Sequence, residues 1–96
     1  MEIYAINPDY QNILTFLYNA DRKYSALIDK NQAKLDALDV EDDDRYYREH
    51  QRCEDQEARQ YDRIQERLEL HPIPKREIEL FKRTYIAFHG YEPYLV

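Results

Sequence analysis

One cysteine, one glycine, one methionine and no tryptophan occur in these 96 residues. The lone Cys53 excludes an internal disulfide framework and agrees with a reducing, cytoplasmic setting. The lone Gly90 excludes glycine-rich phosphate loops, which need several residues at unusual backbone angles. Proline stands only at 8, 72, 74 and 93, so nothing breaks a helix between residues 9 and 71. No apolar run approaches the ~20 residues a membrane helix needs. The start, Met1-Glu2-Ile3-Tyr4, lacks the basic and apolar regions of a signal peptide. A single domain without a membrane span is the expectation at this length.

What is plentiful is charge and tyrosine. Twenty acids stand against 14 lysines and arginines, giving a net charge of −6, and the mean hydropathy is −0.96. Such a composition alone argues for disorder, but ten tyrosines and a helical apolar period oppose it. The acidic balance sets the expected partner as a protein with a basic surface, with no direct nucleic-acid binding.

Asn7-Pro8-Asp9 reads as a helix start, with Asn as N-cap and Pro in the first turn. At about 100° per residue, Tyr10, Ile13, Leu14, Leu17, Ala20, Tyr24, Leu27, Ile28, Leu35 and Leu38 share one face. Asp21, Arg22, Lys23, Asp29, Lys30 and Asp36 lie off its centre, and the pattern predicts a helix over 8–38. After a polar turn, a second helix is expected over 43–70. Its less polar face carries Tyr46, Tyr47, His50, Cys53, Ala58, Tyr61, Ile64 and Leu68. Its arginines, Arg45, Arg48, Arg52, Arg59, Arg63 and Arg67, fall within about 100° of arc on the other side. His71-Pro72-Ile73-Pro74 ends it, and a third helix follows over 75–88, with Ile78, Phe81, Tyr85 and Phe88 inward and Gly90 as its C-terminal cap. The residues before 8 and after 90 read as short extended arms, the first as an arm or a short edge strand.

The expected fold is all-α: a long antiparallel two-helix hairpin with the shorter third helix packed at its base. Tyr10, Ile13, Leu14, Leu17, Ile64, Leu68, Phe81, Tyr85 and Phe88 then make a three-helix core. The distal arm is more polar, with Glu57 near the centre of its buried face. A buried unpaired carboxylate costs several kcal/mol, and two helices do not hide a long apolar strip. A homodimer through Tyr24, Ile28, Leu35, His50, Cys53 and Glu57 would answer both points.

No constellation of residues supports catalysis. His50 and Cys53 lie one turn apart, but a structural zinc site draws on two such pairs and only one is present. A thiolate nucleophile needs a cleft and an oriented base, which a slim hairpin does not supply. Neither a metal nor a cofactor is expected, and the chain is not read as an enzyme. Six arginines on one stripe suit phosphate, yet residues 41–71 hold eleven acids against them, so a solvated, salt-bridged face is the reading.

Two features point to protein binding. Tyrosine is enriched at interface hot spots, and Tyr18, Tyr46, Tyr47, Tyr91 and Tyr94 are the candidates outside the core. Asp36, Asp39, Glu41, Asp42, Asp43 and Asp44 make an acidic tip whose carboxylates can imitate a phosphate backbone and speed encounter with a basic groove. A small acidic binder acting by occlusion is the functional expectation, with a structural homo-oligomer built through the distal hairpin as the alternative. In composition alone, without a shared motif, the chain resembles inhibitors encoded by phages and mobile elements, such as anti-CRISPR and anti-restriction proteins.

Overall fold

The computed structural model describes residues 1–38, 41 and 43–96. It contains a 3₁₀ turn at Pro8–Tyr10 and three helices, α1 (Gln11–Asp36), α2 (Asp43–Leu70) and α3 (Lys75–His89). The fold is all-α. Among the described residues there is no strand, and residues 1–5 run as an irregular arm.

Local chemistry sets the boundaries. Asn7 is extended, and its side-chain oxygen accepts the Asp9 N–H at 3.0 Å, as an N-cap should. The turn it opens is a tight 3₁₀ turn, so α1 proper begins at Gln11. Asp43 and Asp44 occupy the first turn of α2, where the helix dipole favours carboxylates. The last turn of α2 closes with His71 N–H donating to the Arg67 carbonyl at 3.1 Å, just before Pro72. Pro74 then opens α3, its carbonyl accepting from Glu77 and Ile78. Gly90 ends α3 at φ +79, a left-handed conformation that side chains resist.

α1 and α2 run antiparallel. The Arg67 guanidinium lies 4.5 Å over the Phe16 ring, and Tyr24 meets Tyr61 with ring centroids 6.1 Å apart. α3 rises beside the first half of α1: Glu77 reaches Asn7, and Tyr85 reaches Tyr18 and Asp21. The core at this end is Leu14, Leu17, Ala20, Ile64, Phe81, Tyr85 and Leu95. The molecule extends 53 Å along its longest axis, so the far half of the hairpin projects from the core.

Four side chains differ from the sequence expectation. Phe88 is 62% exposed, because the next residue, His89, takes the inward place against Tyr85 at 4.4 Å. Tyr61 is 41% exposed, since α3 does not extend over it. Tyr18 does not turn outward: it is half-buried, edge-on to Tyr85 and stacked on His89. Asp21 is fully buried rather than solvated.

Buried carboxylates tie both arms down. Asp21 accepts the Tyr85 hydroxyl at 2.7 Å and the Leu95 N–H at 3.0 Å, which brings Leu95 into the core. Glu77 accepts the Ile6 and Asn7 N–H groups at 2.9 and 2.7 Å, one on each oxygen. In both cases otherwise unpaired backbone donors of an irregular arm receive a charged acceptor, a stronger bond than a neutral pair.

Candidate protein-binding surface

The two helix ends nearest the turn carry the acidic tip. Asp36, Glu41, Asp43 and Asp44 are all exposed there, while Asp39 and Asp42 lie outside the described residues. The Asp36 carboxylate accepts one bond from Gln32 at 3.0 Å. Next to the acids, Tyr47 is 72% exposed and Tyr46 is 40% exposed and stacked on His50. Carboxylates and tyrosine rings thus share one end of the hairpin, the combination that suits a basic protein surface: charge for steering, rings for contact area.

Tyr18, Tyr91 and Tyr94 belong to the opposite end. Tyr94 is 52% exposed and edge-on to Tyr24. The Tyr91 hydroxyl accepts from Arg22, and its ring packs edge-on to Tyr85. These three rings hold the tail against α1 and α3, and the fold does not bring them to the tip.

At the centre of that aromatic group is His89. Its ring lies among Tyr18, Tyr85, Phe88 and Tyr91, and its Nε2 shares a 3.2 Å hydrogen bond with the Tyr18 hydroxyl. Burial lowers the imidazole pKa below its ordinary 6.5; Arg22 and the N-terminal amine push the same way, against a smaller pull from Asp21. Burial, reinforced by the bond donated to Asp21, also raises the Tyr85 phenol far above its usual range, so it stays a donor. Because folding disfavours the charged imidazole, the full His89 contribution to stability is present above pH 6.5. It is lost as pH falls from there through the depressed folded value. The melting temperature should therefore drop between about pH 7.5 and 5.5, and His89→Gln should reduce that drop. An equal drop in both proteins would show that His89 is solvated in the fold.

The candidate self-association residues are spread between the hairpin interior and its rim. Cys53 is 3% and Leu35 8% exposed, covered by the two helices themselves. Tyr24, Ile28, His50 and Glu57 are partly exposed along the seam, and Glu57 helps burial raise the Tyr24 phenol. Asn31 is 3% exposed between them, and its Nδ2 finds no acceptor among the described residues. Among the described residues no group of three or more His, Cys, Asp or Glu is placed to hold a metal ion. Among the described residues no helix is long and apolar enough to cross a membrane.

One grouping is invisible in either helix alone. An open groove between α1 and α2 is lined by Phe16, Asn19, Ala20 and Lys23 from one side and Gln60, Arg63, Ile64 and Arg67 from the other. Its three charges are all positive. The only sequence signal was the spacing of the α1 lysines, and nothing in the sequence set it beside the arginine stripe. Compared with protein-family models, curated proteins and solved structures, the chain matches none.

Proposed function

We propose that the chain is a small protein-binding protein that acts by occlusion, docking its acidic tip on a basic surface of a nucleic-acid-handling protein. The observation that carries this reading is the tip itself. From 35 to 44 the sequence holds six carboxylates and no cation, and Asp36, Glu41, Asp43 and Asp44 are exposed at the end of a projecting hairpin beside exposed Tyr47. Clustered carboxylates imitate the charge of a phosphate backbone, and attraction over a Debye length speeds the encounter. The compositional likeness to inhibitors from phages and mobile elements supports the same reading, and the protein acts in the cytoplasm on this proposal.

A pull-down from nuclease-treated bacterial lysate tests it, with wild-type bait beside the triple variant Asp42→Asn, Asp43→Asn, Asp44→Asn. The expected result is one stoichiometric basic protein that survives nuclease, with its affinity for the variant at least about tenfold weaker at low salt. Equal retention by the variant would remove the tip from the interface. Bait recovered only in multiples of itself would replace this reading with the homo-oligomer.

A further inference from the structure

A molecule with a net charge of −6 gathers the lysines of α1 and several arginines of α2 along one broad face. The groove between α1 and α2 is bordered by Lys23 on one side and by Arg63 and Arg67 on the other. On α1, Lys30 and Lys34 stand seven and eleven residues beyond Lys23, so all three point the same way, and all are exposed. On α2, Arg52 stands eleven residues before Arg63 on the same exposed face. The hairpin thus presents two parallel rows of cations.

Their neutralisation is slight. Arg52 pairs with Glu49 at 3.2 Å; among the described residues none of the other five forms an ion pair. Arg67 lies over the Phe16 ring instead. Of the α2 acids, Asp55 and Asp62 line a shallow hollow with Arg59, Glu49 pairs with Arg52, and Glu66 stands exposed beside Arg63. On α1, Asp21 is buried toward α3, and Asp29 and Asp36 lie around the helix from the lysine row.

Against the expectation set by net charge and by the acids of α2, we infer that this face binds the phosphate backbone of double-stranded DNA. Unopposed like charges on one face repel each other and are relieved by a polyanion. The occupant is not a second copy of the chain: two such faces brought together would set Lys30 and Lys34 of each copy against their counterparts. The rows also suit a duplex. Packed helices lie about 8–10 Å apart, and side chains splayed outward from them reach across a distance near the ~12 Å major-groove width of B-form DNA. Along α2, Arg52 to Arg67 covers about 22 Å, or six to seven base pairs. Phosphate contacts of this kind position without reading sequence. This site shares no residue with the acidic tip, so either can fail without the other.

The test is fluorescence polarisation with a labelled DNA duplex of about 20 base pairs. Affinity should fall by about a thousandfold between roughly 50 and 200 mM salt if five or six phosphates are engaged. Lys23→Glu with Arg63→Glu should weaken binding at least about tenfold at low salt, and circular dichroism should show both proteins equally helical. Lys30→Ala with Lys34→Ala removes no hydrogen bond or ion pair among the described residues and should flatten the log–log salt slope by about two. Arg83→Ala, exposed on α3 and outside this face, should leave affinity within about twofold. Absence of duplex binding at low salt overturns the inference. So does a slope unchanged by the lysine pair, or tighter binding to polyglutamate than to duplex, which would make this a face for an acidic protein.

Discussion

Asp21→Ala should destabilise the protein by about 3–5 kcal/mol, most of the margin a domain of this size possesses. Its two acceptor bonds are the reason. The carboxylate is fully buried and holds the Tyr85 hydroxyl at 2.7 Å and the Leu95 N–H at 3.0 Å. Alanine leaves both donors without a partner, at about 1–3 kcal/mol each. The tail then loses its anchor, and Pro93 and Leu95, both buried, are exposed to water. Asp21→Asn should fall between wild type and alanine, because the amide offers one oxygen to two donors and turns an N–H toward the other. Urea unfolding measures the loss, and hydrogen exchange at the Leu95 amide reports the tail directly. A loss below about 1 kcal/mol, with Leu95 still protected, would mean that the carboxylate is not what holds the tail.

That anchor shows where the sequence is readable and where it is not. The three helices follow from apolar period, and the 3₁₀ turn ahead of α1 and the end of α3 follow from Asn7, Pro8 and Gly90, though α1 itself spans only Gln11–Asp36 of the expected 8–38. These signals are local and act within one turn. Asp21 and Glu77 carry no such signal, since a polar residue at the rim of a helical face is ordinarily solvated. Each is buried because an irregular arm with unpaired N–H groups comes to it, from 74 residues away for Leu95 and Asp21 and from 71 for Ile6 and Glu77. Periodicity holds no information about where such an arm lies.

The same limit applied at two other places. Phe88 and His89 are adjacent, and both are plausible inward residues of α3; which one faces Tyr18 depends on how α3 crosses α1. The lysines of α1 and the arginines of α2 each form a visible stripe, but the stripes become one surface only through the antiparallel pairing that sets Phe16 beside Arg67. Composition supplied the sign of the total charge. The fold separates it, with carboxylates at the tip and cations along one side of the hairpin.

Phe81→Ala should cost about 3–5 kcal/mol, and it tests the attachment of α3 independently of Asp21. The ring is 1% exposed, packed with Leu14 and Leu17 and 5.9 Å from Tyr85. α3 meets the hairpin through these large side chains rather than by close approach of its backbone. Truncating one of two fully buried rings therefore opens a cavity that the neighbouring helices cannot readily close, and cavity volume adds to the lost transfer energy. An aromatic pairing of about 0.5–1.5 kcal/mol with Tyr85 goes with it. Phe88→Ala is the internal control. It lies two turns along the same sequence pattern but is 62% exposed, so its loss should stay below about 1 kcal/mol. Urea midpoints for the two variants separate the alternatives. Phe81 costly and Phe88 cheap places α3 as described, whereas the reverse order would rotate α3 about its axis and return Phe88 to the core.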